Sequence, residues 1–478
     1  MRVICIYNWL YRLAVTTIKH RPPNTEHPTP NAVYITHTPA MPPTRDPLTL
    51  PASPRLAPPA VPRLAYLGAG TLVAVGYMDP GNWATAISGG AKYGYSLLAV
   101  IAASSLVAML LQWIAARVGV VTGRDLAQLS RERFSRPVVL TLWVGSEIAI
   151  IACDVAEVVG CAVALQLLLH VNLWVGVLIS AAATVAMLAV HREGRRTLEA
   201  LVGTLILLVA LCFVAQLAMA QPDWAAVAGG FAPTPELVRD AGMLWLAAGI
   251  VGATVMPHNL YLHSSLVRKY SPGAVHGQPP SPAAAPALVR ALRGVGMDTL
   301  GSLTFAFLIN AALLIVAAAV FHASGMTDVS DLADAHRLLD PLLHSRWASL
   351  LFAAALLACG LNSTLTGTLA GQAVMEGFLN LRMSRARRAL LTRALAIVPA
   401  LVAVGIFGQH GSAELLVASQ VVLSVSLPLA VLPLIGFASR ADLMGAWRVR
   451  GLPLALAWLS AGAILFLNGA LLWQSVAA

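Results

Sequence analysis

The 478-residue chain is 58% hydrophobic and only 11% charged, with a mean hydropathy of +0.75, which excludes an ordinary water-soluble enzyme or binding domain. A net charge of +10 would suit nucleic acid in a soluble protein, but the basic residues cluster in short loops between apolar runs, the pattern of a polytopic membrane protein with no nucleic-acid partner. The five cysteines, Cys5, Cys153, Cys161, Cys212 and Cys359, have no CxxC or similar spacing, so neither a disulfide framework nor a zinc site is suggested.

Residues 1–62 are rich in Pro and Thr and lack apolar periodicity, so they are expected to form a disordered cytosolic tail, with Met41 a candidate alternative start. The opening "MRVICIYNWLYRLAVTTIK" is too short and too polar to span, and it has no clean cleavage site. Residues 63–478 read as one transmembrane domain. A helix needs roughly 20 apolar residues to cross the hydrocarbon core. Eleven such runs are expected at residues 64–88, 95–120, 137–169, 173–190, 197–219, 241–267, 295–321, 347–379, 389–408, 414–438 and 452–474. With the N-terminus inside, the cytosolic loops hold twenty Lys and Arg while the opposite loops hold four, Lys92, Arg239, Arg337 and Arg346. This bias predicts a cytosolic N-terminus and an outside C-terminus. Residues 270–293 between spans six and seven read as a Pro/Ala-rich cytosolic linker.

Span one contains Asp79-Pro80-Gly81-Asn82, and span six contains Met256-Pro257-His258-Asn259. Proline removes a backbone donor and clashes with the preceding turn, so both helices are expected to unwind there. Unwound backbone at membrane depth is tolerated only inside protein or beside a water-filled cavity, and a carboxylate there must be paired or bind a cation. One such motif alone would be an ordinary kink. If five spans repeat in inverted orientation, spans one and six are the equivalent helices, and two breaks at matching positions point to a midplane transport site. The donor atoms are the Asp79 carboxylate, the Asn82 amide oxygen, carbonyls freed near Gly76 and Ala253, and the Met256 thioether. Oxygen alone would suit magnesium or calcium, whereas the thioether favours a softer first-row ion, manganese(II) or iron(II).

On span three, Glu147, Asp154 and Glu157 fall within roughly 80° of arc at about 100° per residue, forming one acidic stripe. Three buried carboxylates must share protons, meet basic groups or line water. Arg393, near the start of span nine, is a candidate partner. His258 and His263 follow the second break, and a side chain that titrates near neutrality suits a proton relay or gate.

"GYMDPGN" in span one and "MPHNLYLHS" in span six resemble the Nramp family of proton-coupled divalent-metal transporters, bacterial manganese importers included. "EIAIIACDVAEVVG", "LNSTLTGTLAGQAVMEGF" and "SQVVLSVSLPLAVLPLIGF" extend the likeness from about Leu64 to the end. The resemblance implies an all-α fold of eleven transmembrane helices, LeuT-like, with discontinuous helices 1 and 6. It implies that Asp79, Asn82 and Met256 bind metal through side chains, that Gly76 and Ala253 contribute carbonyls, and that Gln420 closes on the ion. It further implies that Asp154 and Glu157 carry protons toward the cytosol and that Asn310 lies near the site. This chain departs from the family at Gly76, where many members have alanine, and at Ser426, where glutamine is common.

The expected activity is proton-coupled import of manganese or iron across a bacterial inner membrane, with no cofactor and no obligate protein partner beyond the lipid bilayer. A sodium-coupled amino-acid or amine carrier would share the broken helices, but its site usually presents backbone to a substrate carboxylate. An intramembrane metalloenzyme would also gather Asp, Glu and His, yet no HExxH arrangement occurs. A passive channel fits the paired breaks poorly.

Overall fold

The computed structural model describes residues 68–190, 195–272, 282–380, 397–399, 401–402, 405 and 412–477. The expected tail, most of the ninth span and Arg393 lie outside the described residues. Among the described residues there are helices and no strands, as apolar surroundings demand: a helix satisfies its own backbone polar groups. The first two spans comprise α1 (Ala69–Gly76), α2 (Pro80–Tyr93) and α3 (Leu98–Thr122). A short helix, α4 (Leu126–Arg133), leads to α5 (Arg136–Leu169), α6 (Leu173–Val190) and α7 (Arg195–Ala220). Then come α8 (Ala241–Val255), α9 (Pro257–Val267), α10 (Ala285–Ala317), α11 (Leu332–Leu343), α12 (Ala348–Leu379), α13 (Ser412–Ser439) and α14 (Leu452–Ala477).

Eight helical stretches among the described residues are long and apolar enough to cross a membrane, with a shorter apolar one at Leu173–Ala183. The stretch Pro80–Thr122 holds the second half of the first expected span and the whole of the second, with Gly94, at φ 58°, turning the chain between α2 and α3. Among the described residues, the seventh span alone starts more than a few residues from its expected position. Its helix begins at Ala285, inside the stretch read as linker, because Leu288, Ala291 and Val295 form a buried face and Pro286 suits the first turn.

The bundle is centred on α5, whose apolar window is 83% buried against α12, α13 and α6. The windows of Ala200–Ala220 and Leu452–Trp473 are only 28% and 33% buried. Leu207, Leu211, Val214, Leu459, Phe466 and Trp473 therefore stand exposed, an apolar surface that suits lipid and not water.

Two junctions hold the half-helices. The buried Asp298 of α10 accepts a hydrogen bond from Gly70 N at 2.6 Å and fastens the start of α1. A side chain on Gly70 would lie 2.8 Å from the α10 backbone, so only glycine permits this approach. On the face carrying the basic loops, Asp125 caps α4, accepting from Gln128 N at 2.8 Å, while Arg268 beyond α9 meets Asp125 at 3.1 Å and Gln128 at 2.9 Å. Leu126 N also donates to Ser264 of α9 at 3.0 Å. Burial pushes the Asp125 carboxyl above the usual carboxylate range, and Arg268 pulls it back.

Arg268→Ala leaves that charge buried and unpaired. We expect a loss of about 2 kcal/mol, between the values for exposed and fully buried pairs. Since the folded pKa of Asp125 then lies further above its unfolded value, the charged form is the destabilised one, and the variant regains stability as pH falls through that folded pKa. Thermal unfolding in detergent at neutral and mildly acid pH checks both; a pH-independent loss would refute the assignment.

Candidate ion site

The two breaks form as the prolines dictate, and they face each other. Tyr77, Met78 and Asp79 separate α1 from α2, and Asp79 caps α2 with its own side chain. Its Oδ1 accepts from Asn82 N at 2.9 Å and from Asn82 Nδ2 at 2.7 Å, while its Oδ2 is buried without a hydrogen-bond partner. In the second break Met256 alone separates α8 from α9, fully buried at φ 44° and ψ 101°, a left-handed conformation that is costly for any residue but glycine. Asn82 Nδ2 donates to Ala253 O at 3.2 Å and so joins the two breaks across 171 positions of chain.

Met256 and Gly76 share a neighbour. Asn259 Nδ2 donates to the Met256 sulfur at 3.2 Å, and a side chain on Gly76 would collide with the same amide at 2.6 Å. Cys153, Met256 and Leu423 pack as one small cluster. Gln420 lies against Gly81 at the start of α2; its Nε2 donates to Ser419 Oγ at 3.0 Å and its Oε1 is buried without a partner. Asp79, Asn82 and Ala253 are thus joined directly, Gln420 lies against the adjoining Gly81, and Met256 follows three residues after Ala253, with Asn259 between its sulfur and Gly76. The unpartnered carboxylate and amide oxygens are the atoms a divalent cation would complete. Ser426 bonds only within its own helix, to Val422 O at 2.8 Å.

The acidic stripe divides. Asp154 and Glu157 both face Gly367 of α12, where a Cβ would come within 2.9 Å of Asp154 and 3.1 Å of Glu157. Glu147 accepts instead from Trp143 Nε1 at 3.0 Å, within its own helix. Cys153 links stripe and site, its thiol lying 3.7 Å from Glu157 Oε1. His258, two residues beyond Met256, is buried with Nδ1 lacking a partner. His263 lies in a separate polar chain: Gln112 bonds Tyr77 OH at 2.9 Å and His263 Nδ1 at 2.9 Å, and Thr299 reaches the far ring nitrogen at 3.5 Å. Asn310 donates to Tyr77 O at 2.8 Å, satisfying a carbonyl that the first break frees.

Three residues were not anticipated. Asp298 and Gln112 are polar residues in apolar runs, a signal the sequence carried. Asn259 was visible in the second quartet, but its bond to the thioether depends on the positive φ of Met256, which sequence does not announce.

A polytopic helical protein with two broken helices meeting at a buried carboxylate belongs to the class of LeuT-like membrane transporters. Residues 70–474 match the family model described as natural resistance-associated macrophage protein-like, and the chain belongs to this Nramp family. It is 51% identical over 428 residues to a protein of Xanthomonas campestris pv. campestris named divalent metal cation transporter MntH, covering 88% of this chain and 93% of that one. A protein of the same name from Bradyrhizobium diazoefficiens is 50% identical over 84% of this chain and 88% of its own. Among solved structures, the Eremococcus coleocola manganese transporter is similar with a TM-score of 0.76 and 38% identity, over 85% of each chain. MhsT, in complex with L-phenylalanine, shares the fold alone, at 16% identity and a TM-score of 0.56 over 85% of this chain and 97% of its own.

The packing around Gln420 sets two glycines apart. A Cβ at Gly252 would strike the Gln420 backbone oxygen and lie 2.7 Å from Ser424 N, whereas at Gly81 it would strike only the Gln420 side-chain amide. Gly252→Ala should cost about 2 kcal/mol and Gly81→Ala distinctly less, since a side chain rotates where a helix backbone does not. Retained monodisperse protein after heating ranks them, and the reverse order would contradict this packing.

Proposed function

We propose that the protein is a secondary transporter that imports divalent transition-metal ions, manganese foremost and iron(II) as a second substrate, together with protons. The observation that carries this reading is the unpartnered Asp79 Oδ2, held beside Asn82, the Ala253 carbonyl and the Met256 break. A buried carboxylate oxygen with no donor calls for a cation. The nearby thioether selects against magnesium and calcium, which gain nothing from sulfur. The names of the bacterial relatives, divalent metal cation transporter and manganese transporter, support the same substrate class.

In this reading the ion enters from outside, sheds part of its water and is held between the two breaks, where Gln420 turns its amide oxygen onto it. Asp154 and Glu157, one and four residues beyond Cys153 on α5, take up the proton; Glu147, His258, His263 and Arg393 extend the route. Rocking of one helix bundle against the other opens the far side. An inward-negative potential assists by about 2.3 kcal/mol per charge per 100 mV. The distribution of Lys and Arg supports a bacterial inner-membrane protein with its N-terminus in the cytosol and its C-terminus outside. An amino-acid carrier is disfavoured because the Asp79 carboxylate would repel a substrate carboxylate, and no group among the assigned residues supports an enzymatic step.

Manganese and magnesium uptake into proteoliposomes that also hold a pH-sensitive dye tests the proposal. The expected result is manganese entry with acidification. Asp79→Ala should abolish it, Met256→Ala should erode discrimination against magnesium, and Glu157→Gln should diminish acidification more than manganese entry. Equal manganese uptake without Asp79 would overturn it.

A further inference from the structure

Helix α13 carries Gln420 and contains Pro428 eight residues later. In an α-helix the Ser424 carbonyl would accept from the N–H of residue 428, but proline has none, so this buried carbonyl is orphaned within its own helix. The partner comes from the last described helix: Asn468 of α14 donates Nδ2 to Ser424 O at 2.8 Å, and its Oδ1 accepts from Ser424 Oγ at 2.9 Å. Ser424 and Asn468 are buried, at 0% and 5% exposure, although the helix that carries Asn468 otherwise presents mostly apolar surface outward. The α8 backbone at Gly252 also lies close against Gln420 O and Ser424 N. Leu471 and Leu467 pack with Val421 and Ala248 alongside. The turn from Gln420 to Ser424 thus packs against both α8 and α14.

We propose that Asn468 is a positioning residue for Gln420: by capping the carbonyl that Pro428 orphans, the eleventh span fixes the hinge of α13 and sets where the Gln420 amide meets the ion. This rests on the reading of Gln420 as the residue that closes on the metal. Proline kinks need an outside donor to hold one geometry in apolar surroundings. Without the Asn468 amide, α13 must bend differently or let water in, and Gln420, one turn away, moves with it. The eleventh span lies outside the five-plus-five repeat, so its role here is to stabilise a moving part of the repeat from without.

The test is a double-mutant cycle in proteoliposomes with Asn468→Leu, which keeps the branched outline and removes the amide, and Gln420→Ala. Asn468→Leu should raise the KM for manganese about tenfold, the worth of one buried hydrogen bond, and add less than twofold in the Gln420→Ala background. Ser424→Ala, which leaves the orphaned carbonyl capped, should have a smaller effect than Asn468→Leu. Full multiplication of the two effects, or an unchanged KM, would overturn the proposal. Hydrogen exchange over residues 416–430 of the same detergent-purified proteins separates this from the transport reading. Should the wild type move no manganese, the metal reading falls. In that case faster exchange in Asn468→Leu than in wild type still supports the clamp, and equal exchange removes it.

Discussion

Everything in this molecule depends on where unpaired backbone groups are allowed. A bilayer offers no water to a broken helix, so each carbonyl or N–H that a proline frees must find a protein partner or become a ligand. The chain breaks its helices at Asp79-Pro80 and Met256-Pro257 and carries Pro428 inside another, and it answers each differently. At the first, Asn310 takes the Tyr77 carbonyl and Asn82 ties Asp79 to Ala253. At the second, Asn259 meets the Met256 sulfur. At the third, Asn468 caps Ser424. Asparagine recurs because its short amide offers both donor and acceptor with few rotors to order.

Against that background the oxygens left without partners are informative. Asp79 Oδ2 and Gln420 Oε1 are buried beside backbone that is otherwise answered in detail. Protein interiors rarely tolerate such groups without a reason. Asp79 lies within the first break and Gln420 packs on Gly81 immediately beyond it.

Much of this was legible in the sequence, for physical reasons. Apolar runs of membrane-spanning length located most helices within a few residues, because the bilayer fixes the length and hydropathy a helix must have. The two Pro-containing quartets located the breaks, because proline's missing N–H is a local property. The packing partners were not legible. That Asp298 would fasten Gly70, or that Glu147 would turn to Trp143 while Asp154 and Glu157 face Gly367, depends on how helices rotate against each other, which a one-dimensional pattern does not encode. The early start of α10 was missed for the converse reason: Leu288, Ala291 and Val295 form an apolar face, but at the end of a Pro/Ala-rich stretch that face is easily read as linker.

The positive φ of Met256 has an evolutionary corollary. One residue supplies both the sulfur and the left-handed turn that separates α8 from α9, and methionine already bears the strain of that turn. Another unbranched side chain at position 256 would inherit the same cost and add none. A lineage drifting toward a different ion can therefore trade the donor atom here one side chain at a time, while the main chain that separates the two half-helices stays as it is.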